Sequence, residues 1–207
     1  MSEASDWLQL RGQVCVVTGA ASGIGAAIAL ALAQQGCRLT LMGRSLERLE
    51  TQAQSLREQV AQVKVEIVPV DVSDVAQVQS AVAQAQERAG AVHILINNAG
   101  GAFAKRRITA DGLELTFATN HMAYFVLTLA LLDRVKASAP ARIVNTASMT
   151  YASGRIDFAN LQSEKSFSGT SAYANSKLCN VLFTRELARR LEGTGVTANC
   201  FHPGFVA

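Results

Sequence analysis

The stretch Gln13-Val-Cys-Val-Val-Thr-Gly-Ala-Ala-Ser-Gly-Ile-Gly25 decides the fold. Its first half, Gln13 to Thr18, is a short β-branched run that stops at glycine, the pattern of a strand buried on both faces. Its second half opens an alanine- and leucine-rich segment, Gly23 to Gln35, that closes at Gly36 and predicts a helix with a glycine cap. A glycine triplet alone says little, and a plain strand-to-helix turn is the simpler reading of it. Here strand precedes it, helix follows, and it lies in the first unit of the chain, which is the context that holds a dinucleotide pyrophosphate. Gly19 can make the tight turn, Gly23 has no Cβ to block a phosphate, and Gly25 lets the helix pack on the strand. The free amides around Ser22 and Ile24 then face the ligand.

Outward from this unit, strand and helix patterns alternate to the end of the chain. Arg38 to Met42 reads as a second strand, followed after Ser45 by a helix with Leu46, Leu49, Ala53, Leu56 and Val60 on one face. Val63 to Val70 is a third strand, and Ser73 is positioned to cap a helix whose Val75, Val78, Val82 and Ala85 share a face. His93 to Asn97, Ala141 to Ala147 and Val196 to Phe201 complete six strands. Leu115 to Lys136 and Tyr173 to Glu192 supply further helices, the first apolar nearly all round and so expected to be covered on more than one side. Strands alternating with helices pair in parallel through right-handed crossovers, which predicts an α/β fold with a doubly wound parallel sheet, a Rossmann-type three-layer sandwich. No internal repeat or linker interrupts it, so residues 1–207 read as a single dinucleotide-binding domain. Ligands in such folds bind beyond the carboxyl ends of the strands, where strand order reverses.

Composition agrees. The 207 residues suffice for one sizeable core, and 49% hydrophobic with 17% charged residues excludes a disordered chain. A net charge of +3, with Lys105-Arg106-Arg107 as the one basic cluster, is too little for a nucleic-acid footprint. The longest apolar stretch, Ala123 to Leu132, is broken by Thr128 and falls short of the roughly 20 residues that span a bilayer. Glu3 and Asp6 lie where a leader peptide would be basic and then apolar, so no secretory signal is expected. Cys15, Cys37, Cys179 and Cys200 form no Cys-x-x-Cys pair and read as small buried hydrophobes in a reducing compartment, which makes a cytoplasmic location the expectation. His93, His121 and His202 are too dispersed to ligate a metal and are expected in structural roles.

The end of the second strand bears on the cofactor. An acid about 20 residues after the glycines usually holds a ribose that lacks a 2′-phosphate. This chain has Gly43-Arg44-Ser45 there instead. A guanidinium fits a phosphate bidentately and would leave a bare hydroxyl unserved. NADP(H) is therefore expected over NAD(H), with Arg44 and either Ser22 or Ser45 at the phosphate; an ordinary solvated arginine is the alternative.

Tyr173-Ala-Asn-Ser-Lys177 opens the last helix, and positions four apart share a helix face. A free phenol with a pKa of about 10 trades protons poorly near neutrality. A cation at ~4 Å, with an effective dielectric near 20, favours the phenolate by about 4 kcal/mol before desolvation. Taken alone, the pair has a bland reading as a helix-start tyrosine beside a surface lysine.

Taken together, Gly19-x-x-x-Gly23-x-Gly25, Asn97-Asn98-Ala99-Gly100, Asn120, Ser148, Tyr173-x-x-x-Lys177 and Pro203-Gly204 resemble the short-chain dehydrogenases/reductases, in order and from Gln13 onward. A narrower resemblance is to the retinol dehydrogenase-like branch. Ile108-Thr109-x-Asp111-Gly112-x-Glu114-Leu115, Asn120-His121, Leu161-Gln162-Ser163-Glu164-Lys165 and the run NSKLCNVLFTRELARRLEGTG through Gly195 carry it.

The resemblance implies a catalytic tetrad of Asn120, Ser148, Tyr173 and Lys177. Tyr173 would exchange a proton with the substrate oxygen as hydride moves to or from the nicotinamide, and Ser148 would orient that oxygen. Lys177 would tune Tyr173 and bind the ribose, while Asn120 would hold a water. It further implies Asp71 at the adenine, with helix capping the even alternative, Asn97, Asn98, Ala99 and Gly100 along the cofactor wall, and Val72, Pro203 and Gly204 at the cofactor. Tyr151 is a candidate to line the substrate pocket, and a core aromatic is the equal alternative. An apolar alcohol, ketone or aldehyde is the substrate class implied, and a homodimer or homotetramer the assembly. Relatives continue past Pro203-Gly204 into a lid and a last strand, which the 207 residues do not contain. Two rival readings use related folds: a non-catalytic NADP(H)-sensing regulator, for which a damaged tetrad is the mark, and a nucleotide-sugar epimerase or dehydratase, usually with Gly-x-x-Gly-x-x-Gly.

Overall fold

A computed structural model of the chain describes residues 8–204; Glu3, Asp6 and Ala207 lie outside them. The elements run β1 (Val14–Thr18), α1 (Gly23–Gln34), β2 (Arg38–Gly43), α2 (Leu46–Gln59), β3 (Val65–Pro69), α3 (Val75–Ala89) and β4 (Ile94–Asn97). Then come α4 (Leu115–Phe117), a π turn (Ala118–Met122), α5 (Ala123–Ala137), β5 (Ala141–Thr146), α6 (Gly169–Arg190) and β6 (Val196–Phe201). The strands form one parallel sheet in the order β3-β2-β1-β4-β5-β6. Strand order reverses between β1 and β4, so the loops that follow these two strands diverge and leave a crevice.

Burial explains the composition of β1. All five of its residues are buried, because helices cover both faces of the sheet. On one face Cys15, Val17, Leu39 and Leu41 meet Ala29 and Ala33 of α1 and Leu49 and Leu56 of α2. On the other, Val16, Met42, Leu95 and Ile143 meet Val78 and Val82 of α3, Leu127 and Leu131 of α5 and Leu187 of α6. The Cys15 thiol is pushed well up by its contact with the Cys37 thiol and by burial, so it behaves as an inert hydrophobe. Cys200 is only partly covered.

Several boundaries depart from the sequence expectations, each for a local reason. The last helix starts at Gly169, ahead of Tyr173, because Ser168 caps it by accepting from the Ser171 amide. The polar Thr170 and Ser171 hide that turn from a periodicity argument. Asp74, not Ser73, caps α3; its carboxylate accepts from the Gln77 amide at 3.0 Å, while Ser73 turns to Asp71. The segment read as one uniform helix from Leu115 is helical to Ala137 but carries the π turn at Ala118–Met122. Those 23 residues, within which an 18-residue window has a mean hydropathy of 1.4, exceed the apolar stretch read from the sequence, and their inner side, Leu127, Leu131 and Val135, is buried in this domain. The outer side is not covered: Phe125 and Leu129 of α5 and Leu182 of α6 are exposed.

The resemblance-bearing loops are tied to one another. Glu114 is buried and its carboxylate accepts from the Thr116 and Phe117 amides, capping α4. Its own amide donates to the Gln162 side chain at 2.7 Å, and Asp111 accepts from the Val75 amide at the start of α3. Truncation of the fully buried Leu131 to alanine is expected to cost about 2–5 kcal/mol. Leu46→Ala, at a site 48% exposed, should stay within about 0.5 kcal/mol. Urea unfolding of the two variants checks the contrast, and equal midpoints would contradict this core.

Candidate active site

The glycine turn closes the crevice from the β1 side. Gly19 has φ +65°, and a Cβ there would lie 2.9 Å from the Ala99 Cα, so neither the turn nor the approach of the β4 loop tolerates a side chain. A Cβ on Gly25 would run into the Gly19 carbonyl oxygen, which fixes how closely α1 packs. Gly23 is the first residue of α1. Ser22 is the N-cap, yet its side chain makes no capping hydrogen bond, which leaves a hydroxyl beside the unpaired first-turn amides.

Side-chain bolts hold the loops after β1, β4 and β5 together. The Thr18 hydroxyl accepts from the Asn98 and Ala99 amides at 2.8 and 3.0 Å. Asn98 donates to the Thr18 carbonyl at 3.1 Å and accepts from the Thr146 hydroxyl at 3.2 Å. Asn97, expected along the cofactor wall, is instead turned into the core, where it donates to Thr128 and to Asn145.

A cavity of about 790 Å³ runs along this edge of the sheet. At the β2–β3 end its walls include Ser22, Ile24, Arg44, Ser45, Asp71 and Val72; Gly19, Asn98, Ala99 and Gly100 line the middle; Ser148, Tyr173, Lys177, Pro203 and Gly204 line the β5–β6 end. Gly23, Gly25 and Asn120 are not in its walls. Asp71 accepts from the Ser73 amide and hydroxyl at 2.9 and 2.7 Å while still facing the cavity. Tyr151 is exposed and outside the cavity walls, so it is neither the pocket-lining residue nor the core aromatic expected; Met149 and Thr150 line the cavity instead.

The chemistry-bearing groups are held differently from one another. Lys177 is 3% exposed, and its Nζ donates to the Thr146 carbonyl at 2.9 Å and lies 5.7 Å from the centre of the Tyr173 ring. Burial lowers its pKa to about 8, because the charged form is disfavoured away from water. Ser148 caps the turn Met149–Ser153; its oxygen accepts from the Thr150 amide at 3.4 Å and hydroxyl at 3.0 Å, leaving its own proton to donate. Asn120 sits fully buried in the π turn. Its side chain accepts from the Gly101 amide at 2.8 Å and donates to the Gly101 carbonyl and to Ser176, while its backbone carbonyl accepts from Asn180. Asn120 thus clamps the loop after β4 onto α6.

Arg48, Thr119 and Phe103 also line the cavity and went unnoticed in the sequence. Arg48 stands four residues after Arg44 in the first turn of α2, a spacing that offered a signal. His202 was expected in a structural role; it is instead exposed in the cavity wall, because β6 ends just before it. His93 and His121 are structural as expected, accepting from the Val14 amide and bonding Asn180 respectively.

Comparison with known proteins is in keeping with this geometry. Residues 13–207 match the model of the short chain dehydrogenase family. Human retinol dehydrogenase 12 is 44% identical over 199 residues, an alignment covering 96% of this chain and 63% of that protein. A solved structure from Mycobacterium paratuberculosis shares 33% identity at a TM-score of 0.83, covering 95% of this chain and 69% of that one. A short chain dehydrogenase from Burkholderia cenocepacia in complex with NADP shares 31% identity at a TM-score of 0.78, covering 94% and 75% of the two chains. The chain thus spans less than two thirds of the length of the human relative. With the glycine turn, the reversal crevice and the Ser148, Tyr173 and Lys177 wall in one sheet edge, the chain belongs to the short-chain dehydrogenase family.

Proposed function

We propose that the protein is an oxidoreductase that binds NADP(H) and moves hydride between it and an apolar alcohol or carbonyl compound. One observation carries the reading: Ser148, Tyr173 and Lys177 share a single cavity with the glycine turn and with Arg44. The residues present suit the cofactor. Gly19 leaves its backbone bare, the Ser22 hydroxyl is uncommitted, and two guanidiniums, Arg44 and Arg48, border the β2 end where an acid would repel a 2′-phosphate. The bound cofactor supplies or accepts the hydride. The side chains manage the charge that builds on the substrate oxygen. Ser148 donates its free proton to that oxygen, and Tyr173 passes a proton to it or takes one from it. Lys177, tethered to the Thr146 carbonyl, keeps a positive charge beside the Tyr173 ring.

Phe103, Leu115 and Met149 give the β5–β6 end an apolar lining, which supports an apolar substrate. The name of the human relative makes retinol and retinaldehyde the first compounds to try. A second copy of the chain is the proposed cover for Phe125, Leu129 and Leu182, whose exposed faces adjoin through the Phe125–Phe183 ring contact at 5.5 Å.

Tyr173→Phe should lower kcat for NADPH-dependent carbonyl reduction by about 10²–10⁴-fold while leaving NADPH affinity within a few fold. Wild-type turnover in that variant would remove Tyr173 from the mechanism. Fluorescence titration should find NADPH bound more tightly than NADH, and Arg44→Asp should weaken NADPH by about tenfold or more with little change for NADH. Tighter NADH binding by the unaltered protein contradicts the cofactor assignment. In sedimentation, the protein should run as a dimer or tetramer and Leu129→Glu as a smaller species; a monomeric parent rejects the second-copy cover.

A further inference from the structure

The Lys177 ammonium has an unusual environment for a buried cation. Its fixed hydrogen-bond partner is one neutral carbonyl, that of Thr146. The titratable groups that face the same cavity are Arg44, Arg48, Asp71, Tyr173 and His202. Asp71 is the one acid among them, and it sits at the far, β3 end and is occupied by Ser73. What lies against the ammonium is aromatic on two sides. The Tyr173 ring centre is 5.7 Å from Nζ, and the Tyr124 ring centre, on α5, is 5.6 Å from it. A ring face within about 6 Å attracts a cation through its quadrupole, and more strongly when the pair is desolvated.

Tyr124 is outside the cavity wall. It is 1% exposed, and its hydroxyl has no hydrogen-bond partner among the described residues. A buried phenol ordinarily secures one. Burial first, and the neighbouring Tyr173 second, push its pKa well up, so it remains a neutral ring. Its hydroxyl is idle, and its face meets the lysine.

We infer that Tyr124 is a positioning residue for the reaction: with Tyr173 it forms a two-ring clamp that holds the Lys177 ammonium in its charged form at the cleft. The inference rests on the proposed role of Lys177 as an ammonium, and it adds a residue on α5 to a site otherwise built from the strand ends and α6. The ring face carries the effect, so phenylalanine serves as well as tyrosine, and an aliphatic side chain does not.

The test measures the lysine directly as well as through turnover. In protein labelled with ¹⁵N-lysine, the Lys177 Nζ signal is assigned by its loss in Lys177→Arg and then titrated. Its midpoint should lie near 8, with the ammonium present below and the amine above. Tyr124→Phe should leave the midpoint in place, and Tyr124→Leu should lower it by about 1 unit. The falling alkaline limb of kcat/KM for NADPH-dependent reduction should shift by the same amount. Should the leucine variant not fold, a ring-fluorinated phenylalanine at position 124 keeps the shape while weakening the quadrupole, and should lower the midpoint partway. A Lys177 midpoint that stays put when the ring is removed or fluorinated overturns the clamp. A midpoint that moves while the kcat/KM limb does not upholds the clamp and overturns instead the catalytic reading of Lys177.

Discussion

The reversal of strand order between β1 and β4 is the constraint on which the site depends. Two adjacent parallel strands whose following loops run to opposite faces leave a gap at their carboxyl ends. Such a gap would leave backbone groups unpaired, and here side chains pair them. The Thr18 hydroxyl takes the Asn98 and Ala99 amides, and Asn98 in turn joins the Thr18 carbonyl and the Thr146 hydroxyl. The Thr146 carbonyl then anchors the Lys177 ammonium. One chain of polar contacts therefore runs from the glycine turn to Lys177. The proposed cofactor cradle and the proposed proton-transfer groups thus share a single edge, which suits a transfer whose rate depends on distance and alignment.

Burying a lysine at that edge has a cost and a use. Desolvation brings its pKa down to about 8, the Thr146 carbonyl accepts a hydrogen bond from it, and in the proposed clamp two ring faces offset part of the penalty. Asn120 contributes from behind the cavity. By gripping both backbone groups of Gly101, it sets the loop after β4 against Ser176, one residue before Lys177. Asn120 is carried on the π turn that interrupts the helix between α4 and α5.

The elements of the fold were legible wherever burial imposes a period or glycine imposes a turn. β1 reads directly from its apolar run because both of its faces are covered, and β6 reads with its boundaries intact. Legibility failed where polar side chains decide a boundary. Ser168 starts α6 ahead of Tyr173, and Asp74 displaces Ser73 as the cap of α3, because either residue type can cap and only the local backbone selects one. The π turn has no compositional mark at all.

The order of motifs by itself determined the family, the sheet and the identity of the groups after each strand, because the alternation of strand and helix leaves few topologies and the glycines allow one kind of turn. Tertiary structure decided which of those groups share a space. It put Arg48 and His202 into the cavity wall, kept Asn120 and Tyr151 out of it, and set the ring of Tyr124 against Lys177 across two helices. Contacts of that kind join residues far apart in the chain, and no spacing rule along one element encodes them.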